Sequence, residues 1–211
     1  MNKSLLLKVY EEIKPKIKER ICEFEAIRER GEEREFLAEL LFCLLTPQSR
    51  AQYCWDAACN IMLLPCGGKD ETAVLKCLSQ VRFKYTKAQR VSQTVLNLKE
   101  QGQTLPEILK EFTDSREARV WSVNRFKGLG WKEGSHFLRN TGIGLDLAII
   151  DRHILRMMVQ LGLLKDIPKT ITAKRYLELE DLIRAFSGYT QIPVSHLDLL
   201  FWYVQTGTIF K

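Results

Sequence analysis

Between two stretches of helical character lies Phe126-Lys127-Gly128-Leu129-Gly130-Trp131-Lys132, and this heptapeptide narrows the possible folds sharply. Two glycines bracket one apolar residue. Glycine accepts the positive φ values that bulky residues resist, so the spacing suits a tight turn between two helices, with Leu129 filling the gap between them. Bare backbone at Gly128 and Gly130 also leaves N–H groups open beside the start of the next helix, an arrangement that binds anions such as phosphate. A helix starting at Ser115 feeds this turn. After it come a second helix, the apolar run Gly144-Leu145-Asp146-Leu147-Ala148-Ile149-Ile150, and a third helix opening at Asp151.

Two charges stand out in this stretch. Lys132 falls in the first turn of a helix, where the macrodipole disfavours a cation. Asp151 emerges from an almost wholly apolar segment and can cap the helix Arg152–Val159. Taken singly, one is an ordinary surface lysine and the other an ordinary N-cap. Their combination is what marks a candidate site.

GLGWK, followed 19 residues after its lysine by the aspartate of LAIIDRHIL, resembles the helix-hairpin-helix, loop and aspartate signature of DNA base-excision glycosylases. More narrowly, KEGSHFLRNTG, LAIIDRHIL and LLFWYVQTGTIFK resemble the compact archaeal-type (type 2) 8-oxoguanine DNA glycosylase/AP lyases, over essentially the whole chain. The glycine pair alone is weak evidence; the lysine, the aspartate and the closing motif together are specific. The resemblance implies an all-α fold of two helical subdomains, with the helix-hairpin-helix (about 116–142) and an active-site cleft between them. One subdomain would be 1–42 plus 151–211, the other 43–150.

It also implies site residues. Lys132 matches the Schiff-base nucleophile and Asp151 the catalytic carboxylate. Trp202 matches the tryptophan that stacks on the flipped base, although without the resemblance LDLLFWYV would be read as core. Lys211 matches a last residue that reads the lesion, free carboxylate included, and the apolar Ile209-Phe210 before it suggests that the end is docked. Asp198, one turn before Trp202, either accepts a hydrogen bond from the base or lines the helix. Gln48 either reaches the flipped base or the emptied stack, or is a turn glutamine. Phe83, with Arg82, either wedges into the duplex opposite the extruded base or belongs to a helix-cap loop. Flanking phosphates would meet the amides from Gly128 to Trp131, Gly130 among them, with Lys127 nearby.

Composition sets outer limits. The 211 residues, 45% hydrophobic, can bury a core as one domain or two lobes. A net charge of +6 and a pI near 9.0 suit a polyanionic partner. The six cysteines, Cys22, Cys43, Cys54, Cys59, Cys66 and Cys77, form no CxxC pair, and with three histidines they do not suggest a zinc site. Several relatives of the hairpin family carry a four-cysteine iron–sulfur cluster near the C-terminus; here the last cysteine is Cys77, so no cofactor is expected. Met1-Asn2-Lys3-Ser4 leads into a charged amphipathic helix without a leader-like apolar core, and no run is long enough for a bilayer. An intracellular (cytoplasmic) monomer acting on double-stranded DNA that contains 8-oxoguanine or an abasic site is expected, with no membrane partner.

The helical pattern continues along the chain. Residues 4–30 place Leu5, Leu6, Val9, Ile13, Ile17, Ile21 and Phe24 at helical spacing. Further helices are expected over 33–46, 50–64, 70–80 and 87–101, then from Thr104 to Phe112, from Ser115, from Asp151 to Leu161, from Thr172 to Ser187-Gly188, and over 196–205. Val81-Arg82-Phe83-Lys84-Tyr85-Thr86-Lys87 is expected as a loop whose cations suit phosphate.

The chemistry implied is base excision through an imine. A lysine amine is protonated up to a pH of about 10.4, so Lys132 needs the positive helix end and desolvation to be nucleophilic. It would attack C1′, and β-elimination would then nick the strand. Asp151 would stabilise positive charge on the sugar. Two other readings stand beside this one: a glycosylase on the same scaffold for a different lesion, and a non-enzymatic DNA-binding module that uses the hairpin for phosphate contact alone.

Overall fold

The computed structural model describes residues 3–100 and 102–211; these are helical between turns and contain no strand, as the absence of period-two patterning predicts. α1 (Lys3–Arg30) buries Leu6, Tyr10, Ile13, Ile17, Ile21 and Phe24 along one stripe. Pro15 lies inside this helix on its exposed side. The carbonyl that loses its donor, on Glu11, is therefore on the solvent side, and the helix continues. Gly31 (φ 62) turns the chain into α2 (Glu33–Leu45), which buries most of its residues and runs through the core. α3 (Ala51–Met62) follows, and α4 (Glu71–Cys77) starts on Asp70, whose carboxylate accepts from the Thr72 N–H at 2.8 Å.

α5 (Lys84–Lys99) corrects one expectation: the basic-aromatic run is a loop only up to Phe83, which takes a left-handed conformation (φ 58) at the helix N-cap. Lys84, Tyr85 and Lys87 belong to the helix, because Lys87 turns inward and is 3% exposed. It is thus lost as a phosphate contact. α6 (Leu105–Lys110) carries the reciprocal Thr104–Glu107 capping box. α7 (Ser115–Arg125) and α8 (Trp131–Asn140) form the helical hairpin, and α9 (Arg152–Gln160) opens on Asp151. α10 (Ala173–Thr190) passes through the expected stop at Ser187-Gly188, since the Ser187 hydroxyl donates forward to the Ile192 carbonyl (2.6 Å) and Gln191 (φ 58) ends the helix instead. α11 (Val194–Thr206) completes the set.

The buried side chains fall into two clusters. One draws on α2, α3, α5 and the hairpin and includes Leu40, Phe42, Ile61, Val91, Phe126, Leu129, Phe137 and Leu147. The other joins α1 to α9, α10 and α11 and begins again at Ala148. The hairpin spans the junction, with Leu129 in the first cluster and Trp131 packed against the second. The chain crosses at Leu147–Ala148, just before Asp151.

A buried polar bridge fixes this crossing. Arg119 of α7 and Glu180 of α10 are both fully buried and joined by two hydrogen bonds of 2.7 and 3.0 Å. The guanidinium lies 4.9 Å from the Trp131 ring and 5.5 Å from that of Tyr176. Glu180 also accepts the Ala148 N–H at 3.0 Å. The Tyr176 hydroxyl donates to the Ala148 carbonyl (2.7 Å) and accepts from the Ile150 N–H (3.1 Å), so residues 148–150 are tied on both sides. Burial pushes the Tyr176 phenol well above its usual pKa, which keeps it a donor.

Removing one member of a buried ion pair leaves the other charge uncompensated. Glu180→Ala is expected to cost about 3–5 kcal/mol, read as a lowered urea midpoint; a loss of under about 1 kcal/mol, the range of a surface pair, would show that the bridge does not hold the crossing.

Candidate active site

At the hairpin, Gly128 adopts φ 99 and the Leu129 N–H donates to the Phe126 carbonyl at 3.0 Å. A Cβ at Gly128 would fall 2.7 Å from both Cδ and Nη1 of Arg90. Glycine is required here by its φ, and a side chain would also push aside the arginine that α5 lays across the turn. Gly130 is the N-cap of α8, and Glu133 folds its carboxylate back to within 2.9 Å of where a Gly130 Cβ would stand. The helix end expected to be bare thus has an acidic neighbour.

Lys132 follows in the first turn of α8, its side chain 24% exposed. Nζ lies 3.5 Å from His136 Nδ1, one turn on, and 3.9 Å from Glu133 Oε1. Burial holds the His136 pKa well below its usual value, and the cations of Lys132 and Arg139 add to this. The lysine therefore faces a neutral imidazole. Asp151 performs its N-cap role, Oδ1 accepting the Ile154 N–H at 2.9 Å.

Lys132 and Asp151 share the wall of a cavity of about 420 Å³ with His136, Arg139, Asp198, Trp202 and Lys211. That is the size range of small-molecule sites. Asp198 Oδ2 sits 3.3 Å from Arg139 Nη1. Burial raises the Asp198 carboxyl to about 6; Arg139 opposes the shift and Asp151 reinforces it. Trp202 meets His153 edge-on, with ring centroids 4.6 Å apart. Trp202 Nε1, His136 Nε2 and His153 Nδ1 are buried without hydrogen-bond partners, although such atoms are normally paired. The cavity's residues therefore carry unused hydrogen-bonding capacity.

Lys211 reaches the cavity too, but its ammonium is already engaged. It pairs with the buried Glu39 carboxylate and lies 3.4 Å over the Trp55 ring. Asn140 donates to the other Glu39 oxygen at 2.8 Å. Phe210 packs against Phe42 and Ile209 against the second core cluster. A larger cavity, about 540 Å³, lies on the far side of Lys211 between Trp55, Met62 and Leu63, and neither Lys132 nor Asp151 borders it.

The other expected residues stand outside the cavity. Gln48 (φ 56) is exposed at the turn between α2 and α3, while its neighbours Thr46 and Arg50 reach the cavity wall. Phe83 is 58% exposed, with the Arg82 guanidinium 5.9 Å from its ring. Lys127 is exposed at the hairpin. The Trp131 side chain is engaged in packing under Arg119, leaving its amide alone for an anion. Sequence reasoning missed His136 and Arg139, whose signal was their helical spacing from Lys132. It also missed Glu39, a charge inside the apolar run FLAELLF, and Arg90, which carried no local signal.

The sequence profile of the family described as 8-oxoguanine DNA glycosylase matches residues 17–192. The chain belongs to that family. It is 41% identical over 210 residues to the 8-oxoguanine DNA glycosylase/AP lyase of Fusobacterium nucleatum subsp. nucleatum, covering 97% of this chain and 95% of the relative. It is 35% identical to the protein of the same description from Methanocaldococcus jannaschii, over 95% of this chain and 94% of the relative. The fold superimposes on the crystal structure of the M. jannaschii 8-oxoguanine glycosylase/lyase in complex with a 15mer DNA containing 8-oxoguanine, with a TM-score of 0.85 at 32% identity, covering 98% of this chain and 100% of that one. The Thermotoga maritima 8-oxoguanine DNA glycosylase structure gives 0.83 at 34%, over 99% and 97%.

The buried Asp198 carboxyl gives this chain a pH signature. Its folded value of about 6 lies above the ordinary 3.8, so folding favours the protonated form. Its contribution to stability is full below pH 3.8 and is lost as pH rises through about 6. The melting temperature of the protein minus that of Asp198→Asn should therefore fall between pH 4 and pH 6.5; a difference that is flat or rises over that range would show the carboxyl is not buried as described.

Proposed function

We propose that this protein flips 8-oxoguanine out of duplex DNA, excises it through a Schiff base on Lys132, and nicks the resulting abasic site by β-elimination. One observation carries the assignment: an amine in the first turn of α8, a capped aspartate and a tryptophan share one cavity whose residues hold unpaired polar atoms. A base stacked in a duplex is out of reach, so it must be extruded into a pocket of this kind. Trp202 supplies the flat face, and Asp198 and Lys211 stand near the base edge. An acceptor opposite N7–H would favour the lesion and repel the lone pair of guanine.

The Lys132 amine attacks C1′ as the bond from C1′ to the base breaks and the base leaves. Asp151 stabilises positive charge on the sugar at that moment. The His136 imidazole beside Nζ, held neutral by burial and by the Lys132 and Arg139 cations, adds no second positive charge and no counter-ion, so the side chain stays mobile and its proton is lost to water. Ring opening gives the imine, loss of a C2′ proton breaks the bond from C3′ to its phosphate oxygen, and water returns the lysine. Phosphates on either side are held by the Gly128, Gly130 and Trp131 amides with Lys127, Arg90 and Arg82. Glu133 swings off the helix end to admit them. Gln48 and Phe83 enter the duplex where the base has left.

The same reading places α1 with α9–α11 in one lobe and α2–α8 in the other, which moves the first boundary from residue 42 to the turn at Gly31. It also places the protein with the genomic DNA, inside the cell; no helix among the described residues is long and apolar enough to cross a membrane.

Borohydride trapping on a duplex with a single 8-oxoguanine tests the assignment. The unaltered protein should form a covalent adduct and Lys132→Gln none, while the variant still binds the DNA. Trapping on an abasic site but not on 8-oxoguanine would keep the lysine and change the lesion. Full nicking by Lys132→Gln would remove Lys132 as the nucleophile.

A further inference from the structure

Lys87 is 3% exposed, yet its partners are neutral. Nζ donates to the Leu45 carbonyl (2.7 Å), the Pro47 carbonyl (2.8 Å) and the Ser49 hydroxyl (3.0 Å), one acceptor for each of its three protons. All three belong to the turn that carries Gln48. Ser49 Oγ also accepts the Arg82 N–H at 3.0 Å, and the Cys54 thiol donates to the same Leu45 carbonyl at 3.1 Å. Two segments distant in sequence, 45–49 and 82–87, are thereby fastened together.

Each fastened segment ends in a strained, exposed tip. Gln48 (φ 56) and Phe83 (φ 58) are two of the three non-glycine residues with positive φ among the described residues. Neither is a type that adopts this conformation readily, and such strain persists only where the surroundings over-determine it. Here the surroundings are the Lys87 hydrogen bonds. Thr46, Ser49 and Arg50, which neighbour the Gln48 tip in the chain, are on the cavity wall. Arg82 and Lys84 flank the Phe83 tip, so its approach to a polyanion is favoured.

We infer that Lys87 is a positioning residue that locks the Gln48 turn and the Phe83 cap into one rigid, two-tipped element, which enters the duplex beside the cavity and holds the target base out of the stack. This rests on the reading of the protein as a base-flipping glycosylase. Extrusion breaks base stacking, and a wedge compensates only if it need not itself be ordered on the way in. A loose pair of tips would add that ordering cost to every extrusion. The chemistry at Lys132 would be untouched. A single-stranded abasic site has no stack to open, so there the element has no task.

The test compares Lys87→Met and Ser49→Ala with the unaltered protein in single-turnover cleavage of two DNAs, a duplex containing 8-oxoguanine and a single strand containing an abasic site. Lys87→Met should slow the duplex reaction roughly 10- to 100-fold, the scale of an ångström-sized misplacement, and leave the single-strand rate near that of the unaltered protein. 2-Aminopurine beside the lesion should lose its fluorescence rise in the same variant. Ser49→Ala should show the same split, smaller. Equal losses on both DNAs, or no loss on the duplex, would overturn the inference. Should Lys87→Met fail to fold, Ser49→Ala decides alone by the same criterion. If the unaltered protein acts on abasic DNA but not on 8-oxoguanine, the proposed substrate falls, and the split is read between duplex and single-stranded abasic DNA instead.

Discussion

An arginine and a glutamate that see no water, Arg119 and Glu180, fix how the hairpin helices sit against α10. Everything catalytic follows from that distance. Lys132 rides on α8, next to the hairpin, and Asp151 rides on the segment that Glu180 and Tyr176 hold by the backbone of Ala148 and Ile150. The bridge joins the two sides, together with the Arg139–Asp198 and Lys211–Glu39 pairs nearer the cavity. A buried ion pair is seldom the cheapest way to hold helices together, since apolar residues of similar volume often do as well. Its advantage here is direction: the carboxylate accepts from the guanidinium and from the Ala148 N–H together, so packing of α7 on α10 and placement of the Asp151 segment become one event.

The cavity itself is a balance of charge. Lys132 and Arg139 are cations; Asp151, Asp198 and nearby Glu133 are acids; His136 is held neutral between them. Burial is the main cause that raises the Asp198 carboxyl to about 6, with Asp151 adding to the rise and Arg139 and Lys132 limiting it. Such a site tolerates a charge that moves during reaction, because each group has an opposite within reach. The hairpin end is less settled, for Glu133 occupies the neighbourhood of the amides that a phosphate would use. Arg90, laid across Gly128, adds a cation from α5 to those of Lys127 and Lys132.

The fold class was legible, and so was the meeting of Lys132 and Asp151 at one cavity, because both are written locally. Helical spacing gave α1 and α2, the glycine pair gave the hairpin, and the polar residue after an apolar run gave the α9 cap. Lys87 misled, since a run of basic and aromatic residues looks solvated until three oxygens from a distant turn draw the lysine in. Gly188 misled in the other direction: a glycine marks a helix end only where the chain also finds a partner for the freed carbonyls, and here Gln191 ends the helix instead. Glu39, Arg90 and Glu180 act on residues far along the chain, and no local pattern announces a partner that only the tertiary fold brings near.

Three lysines differ in how freely the fold holds them, which bears on the proposed nucleophile. Lys87 has all of its protons bonded to neutral oxygens, so its nitrogen offers neither a free lone pair nor room to move. Lys211 is held by a buried carboxylate and an indole face, which fixes it as a wall of the cavity. Lys132 has one long contact to a neutral imidazole and a carboxylate at 3.9 Å, is partly open, and stands at a positive helix end. A nucleophile must lose a proton and then travel to a carbon atom. Of the three, only Lys132 is held loosely enough to do both, because the imidazole beside it is uncharged and makes no ion pair that would pin the ammonium.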